Sequence, residues 1–103
     1  MAFSEWWSFD GAMVNLDQNA GAVYELGDSA GNIVFIGGAS ALKQRLRKHL
    51  EENERSCIKK NASQYRYDYR WDYAEEEKRM YDDYVRTFGK PPRCNKPHAP
   101  AAR

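Results

Sequence analysis

Long apolar runs are missing from these 103 residues, and so is a basic start. Met1-Ala2-Phe3-Ser4-Glu5 leads into no segment suited to a secretory leader or a membrane span, so a soluble, cytoplasmic protein is expected. Charge of one sign is also lacking: 16 Lys and Arg stand against 15 Asp and Glu, a net charge of +1. Long-range attraction to a polyanion is therefore weak, and any nucleic-acid binding must come from local clustering. Cysteine is scarce. Cys57 and Cys94 are far apart and form no Cys-x-x-Cys pair, which argues against a zinc site or a disulfide framework and for reduced thiols. A chain of this length buries roughly 60 to 70% of its unfolded surface, enough for one core and not two.

What is present is concentrated in residues 21–50. Two short apolar runs, 23–26 and 33–36, flank Gly27-Asp28-Ser29-Ala30-Gly31-Asn32, whose glycines and short polar side chains favour a turn. This is a hairpin. Ser40 is a good N-cap, and Leu42, Leu46 and Leu50 recur behind it at helical spacing. Arg45 and His49 lie four residues apart and share a face beside that stripe. They could line a shallow cleft, or simply occupy the boundary of the core. Lys43, Arg47 and Lys48, with Arg55, Lys59 and Lys60 beyond, form a modest basic patch diluted by Glu51, Glu52 and Glu54.

Residues 64–73, QYRYDYRWDY, alternate aromatic with polar or charged side chains, the period of a half-buried strand. Tyr65, Tyr67, Tyr69 and Trp71 should pack together under a helix, although such rings interleaved with arginines can also stack on bases. Arg66, Asp68 and Arg70 would form a wet opposite face. Asp72 followed by Glu75 reads as an N-cap with an N3 acid, opening a helix that runs to about Thr87 before Gly89, Pro91 and Pro92. Tyr73, Met80, Tyr81, Tyr84 and Phe88 gather on one side of it, with Glu77 inside the stripe. Glu75, Glu76, Asp82 and Asp83 project to the solvated side. A carboxylate on a core-facing stripe needs a partner, because desolvating it alone is costly. That partner could be an arginine such as Arg45, or a metal ion.

Taken together, these segments resemble the GIY-YIG nuclease family. Ala22-Val23-Tyr24 and Phe35-Ile36-Gly37 match its two name motifs, with Ala22 in place of the first glycine and Phe35 in place of the second tyrosine. Arg45 takes the position of the arginine on the following helix, with His49 after it. Glu77 resembles the glutamate that holds one divalent cation on a helix after the third strand, with Asp83 as second choice, and Asn95 resembles the terminal asparagine. The resemblance covers residues 21–95.

It implies an α+β fold with a three-stranded, mainly antiparallel sheet flanked by helices, in the order strand, strand, helix, strand, helix. It implies a metal-dependent endonuclease using one divalent cation, Mg²⁺, with nucleic acid as partner, DNA ahead of RNA. In that reading Tyr24, Arg45, His49 and Glu77 are catalytic and share one concave surface. Glu77 is also the metal ligand, Lys43, Arg47 and Lys48 bind nucleic acid, and Gly37 and Asn95 are structural. Phe35 favours an alternative: a binding or interaction module that keeps the scaffold without the chemistry. The expected domain spans residues 1–95, followed by a flexible tail at 96–103. Trp6, Trp7 and Phe9 should cover a core end or sheet edge, or form an oligomer contact.

Overall fold

The computed structural model describes residues 3–95; the expected tail at 96–103 lies outside them. Eight elements follow one another: β1 (Trp7–Ser8), α1 (Gly11–Val14), β2 (Ala22–Gly27), β3 (Ile33–Ala39), α2 (Leu42–Leu50), α3 (Cys57–Asn61), β4 (Gln64–Tyr69) and α4 (Tyr73–Phe88). The sheet is antiparallel throughout, in the order β1-β4-β2-β3. It therefore has four strands and not three. The fourth is the two-residue β1, in which Trp7 pairs with Tyr65 and Ser8 with Gln64.

Strand alternation divides the core between the two faces of the sheet. Tyr24, Leu26, Phe35 and Tyr65 pack with Leu42, Leu46 and Ile58 under α2 and α3. Val23 and Ile36 pack on the other face with Met80 and Tyr84 of α4. The central strand β2 is buried along its whole length because both faces are covered.

The C-terminal segment closes the exposed edge of β3. Cys94 N–H donates to the Val34 carbonyl (2.9 Å), and the Asn95 side chain holds Ile36 from both ends. Its Oδ1 accepts from Ile36 N–H (2.9 Å) while its Nδ2 donates to the Ile36 carbonyl (3.0 Å). An edge that would otherwise template pairing with another chain is thus satisfied internally.

Cys57 and Cys94, expected as reduced thiols, are joined as a disulfide. The bond ties the start of α3 to the segment along β3, two places that a separation of 37 residues keeps apart in the sequence.

Several local expectations also change. The N-cap position of α2 is held by Ala41, not Ser40, and carries no side-chain cap; the N–H of Leu42 donates instead to the Ala20 carbonyl. Asp72 does precede α4 but makes no capping bond, because Arg70 Nε holds its carboxylate at 2.7 Å. Glu76 is buried, ion-paired with Arg79 and, at 4.0 Å, with Arg70. Phe88, expected on the apolar side of α4, is 60% exposed. Arg66 is not simply wet: its guanidinium lies over Phe3 and Trp6 and donates to Glu25 at 2.7 Å. Trp71 leaves the tyrosine row, since the strand ends at Tyr69 and its ring is 89% exposed.

Candidate active site

Tyr24 projects from the central strand toward α2 with no solvent exposure. It pairs with Gly37, and its ring lies across that glycine: a Cβ there would stand 2.5 Å from Tyr24 Cζ and 2.6 Å from the hydroxyl. The hydroxyl is 2.7 Å from His49 Nε2. Phe35 completes an aromatic cluster, 6.0 Å from the Tyr24 ring and 5.2 Å, edge-on, from the imidazole.

Burial pushes the phenol pKa of Tyr24 well above its ordinary value. The Arg45 guanidinium opposes the shift, while Glu77 and Glu52 reinforce it. A free phenolate is therefore not the resting form at neutral pH.

On α2, Leu42, Leu46 and His49 are buried, which places His49 on the leucine face. Arg45 is turned outward and lines a shallow depression of about 220 Å³ with Ala39, Ser40, Ala41, Gln44 and Lys48. It still acts on the phenol, so it links the open depression to the buried cluster. Lys43, Arg47 and Lys48 line an adjoining depression of about 340 Å³ with Asn19, Gln44 and Glu51. The two hollows share Gln44 and Lys48 and form one cationic strip along the helix.

Glu77 reaches the same strip of β3 from the opposite layer. It is 5% exposed, and a Cβ on Gly38 would stand 3.0 Å from its Oε1 and 3.2 Å from its Cβ. Gly37 and Gly38 present opposite faces, so the dipeptide has Tyr24 over one side and Glu77 over the other. The four expected catalytic side chains thus do not form one concave wall. Tyr24, Arg45 and His49 gather on the α2 side, and Glu77 approaches from α4 closely enough for its charge to act on the phenol.

Among the described residues, no group of three or more His, Cys, Asp or Glu is arranged to hold a metal ion. Glu77, set against Gly38, suits a cation that takes one protein carboxylate and keeps waters or substrate oxygens as its other ligands, as Mg²⁺ commonly does. Asp83, the second choice, is instead tied to Arg79 (2.8 Å) and Arg86 (2.5 Å).

One residue of the cluster escaped the sequence reading. Glu52 Oε2 lies 2.8 Å from His49 Nδ1, although in the sequence it is one of three similar acids after the helix. The signal that could have found it is its spacing of three from His49, which returns a side chain to the same face if the turn continues.

The sequence model of the GIY-YIG catalytic domain family matches residues 20–85, about two-thirds of the chain. The matched segment contains Tyr24, Arg45, His49, Glu52 and Glu77 but ends before Asn95. No significant match is found among curated proteins.

Proposed function

The chain belongs to the GIY-YIG catalytic domain family, a family of nuclease domains, and from that premise we propose that it is a divalent-metal-dependent endonuclease hydrolysing nucleic-acid phosphodiester bonds. The observation that carries this reading lies on the α2 side of the sheet: the Tyr24 hydroxyl is in hydrogen-bond contact with His49 Nε2, and Arg45, which acts on the same hydroxyl, opens onto the cationic depression.

Each group then has a role. Arg45, exposed at the depression, neutralises the scissile phosphate and the charge that builds on it during attack. Tyr24, neutral at rest, accepts a proton from the attacking water as its own passes to His49 Nε2. The hydroxide oxygen bonds to phosphorus, the bond to the leaving oxygen breaks, and that oxygen takes up a proton from solvent, while the proton held on His49 returns to solvent and restores the resting state. Water is thereby divided between a phosphate end and a hydroxyl end. Glu77 would hold one Mg²⁺, which when bound supplies charge for the leaving oxygen. Asn95 braces β3, and so the glycine strip, through Ile36.

Lys43, Arg47 and Lys48 supply phosphate contacts along α2. The exposed ring of Trp71 lies just past the strand end where Tyr69, Ala22 and Ala39 are aligned, and it offers a stacking surface for an unpaired base. DNA is the preferred substrate class.

A second reading, a nucleic-acid-binding or interaction module without chemistry, is favoured by Phe35 and by the complete burial of Tyr24. Incubation with labelled single- and double-stranded DNA and RNA, in Mg²⁺ and in EDTA, separates the two. Cleavage only with Mg²⁺ supports the nuclease, whereas binding without cleavage under every condition supports the second reading.

A further inference from the structure

Both nitrogens of His49 are engaged: Nε2 by the Tyr24 hydroxyl at 2.7 Å and Nδ1 by Glu52 Oε2 at 2.8 Å. An ionised carboxylate can only accept, so Nδ1 carries the hydrogen. A neutral imidazole has one N–H, which leaves Nε2 as an acceptor and makes the phenol the donor. With the imidazole neutral, the three groups point their hydrogens in one direction, from Tyr24 to His49 to Glu52.

The local chain explains why Glu52 and not its acidic neighbours reaches the ring. Helix α2 ends at Leu50, yet Glu51 keeps right-handed helical angles (φ −90°, ψ 0°) and Glu52 N–H donates to the His49 carbonyl at 3.2 Å. One further turn is thus completed, and it returns residue 52 to the face of residue 49. Glu51 points instead toward the hollow lined by Lys43 and Arg47.

We propose that Glu52 is a positioning residue: it fixes the Nδ1–H tautomer and the orientation of His49, and so turns the Tyr24 hydroxyl to hand its proton inward. With that hydrogen committed to Nε2, the phenol oxygen accepts from the Arg45 side chain and keeps its remaining lone pair for a proton arriving from water. When the proton reaches Nε2 the ring becomes an imidazolium, and the adjacent carboxylate stabilises it without taking a proton itself, the role a buried aspartate plays in serine hydrolases. The consequence for catalysis rests on the hydrolytic reading above. The tautomer does not.

The test separates the two claims. Long-range ¹H–¹⁵N correlation spectra of ring-labelled histidine report which nitrogen carries hydrogen, with His98 replaced by glutamine so that His49 alone is observed. The parent should show Nδ1–H, and Glu52→Ala should shift His49 toward a mixture of tautomers. Glu52→Gln, whose amide oxygen can still accept, should fall between them. In cleavage assays Glu52→Ala should lose at least about tenfold in kcat with KM little changed, with partial rescue in Glu52→Gln. The Glu52 side chain is 32% exposed, so both variants should melt near the parent temperature. An Nε2–H parent, or a tautomer and a kcat indifferent to Glu52 in a protein that cleaves, overturns the proposal alone. A tautomer that follows Glu52 in a parent that never cleaves upholds the positioning and overturns the hydrolytic reading.

Discussion

Gly38 makes room for Glu77: a methyl group at position 38 would stand 3.0 Å from the glutamate Oε1 and 3.2 Å from its Cβ. The neighbours would have to give by a few tenths of an ångström. Gly38→Ala should therefore cost about 1 kcal/mol of stability while reducing cleavage strongly, because Glu77 is the group displaced. Gly37→Ala meets the Tyr24 ring at 2.5 Å and should be worse, about 2 to 3 kcal/mol, since a fully buried ring has less freedom to move. Denaturant melts beside a cleavage assay check both.

Phe35 lies edge-on to His49 at 5.2 Å, and its Cε2 would be 2.8 Å from a Cβ on Gly37, so the ring leans toward Tyr24. Phe35→Tyr adds one hydroxyl to this cluster. The variant should melt within a few degrees of the parent and cleave faster. An unchanged rate in an active protein would show that the second tyrosine of the motif is dispensable here.

Reducing the Cys57–Cys94 bond opens a loop closed across 37 residues. The chain-entropy argument assigns such a loop about 3 to 4 kcal/mol. Melts with and without a reductant should show that loss, and the Cys57→Ala variant should reproduce it and no longer respond to the reductant.

The acid side of the stability curve follows from two carboxylates. Arg70 holds Asp72 below its ordinary value of 3.8, and Arg79 holds Glu76 below 4.5. Groups depressed in the fold add stability that is complete above those ordinary values and is lost as pH falls through the lowered ones. Burial raises Glu25, a shift Arg66 only partly offsets, so its contribution runs the other way and is lost as pH rises through its raised value. The melting temperature should fall below about pH 4.5, and Glu76→Gln should flatten that limb of a thermal-melt series.

The parts of this molecule that were legible in the sequence are those with a local period or a turn. The hairpin of β2 and β3, the leucine face of α2, the alternation of β4 and the long helix α4 all follow from spacing within one element. The placement of Glu77 inside the α4 stripe was legible for the same reason. Glu76 was misplaced because its burial depends on Arg79 and Arg70, and Trp71 because the strand ends two residues before it. The disulfide, the grip of Asn95 on Ile36 and the two-residue β1 were hidden because each joins segments far apart in the chain. The division of the site between two layers was hidden too, since neighbouring glycines reveal their opposite faces only when something packs on each.

Whether Glu77 serves a metal-dependent hydrolysis and not merely the fold is decided by comparing the parent with Glu77→Gln in Mg²⁺ and in EDTA. Cleavage and thermal melting are measured on the same preparations. The substitution keeps size and hydrogen-bonding capacity but removes the charge that a hard cation requires. Mg²⁺-dependent cleavage is expected of the parent, with its collapse in the variant and a melting temperature that is unchanged or higher. A parent without metal-dependent cleavage, together with a variant destabilised by about 3 to 5 kcal/mol as expected for a broken buried ion pair, would contradict a metal-dependent role for Glu77.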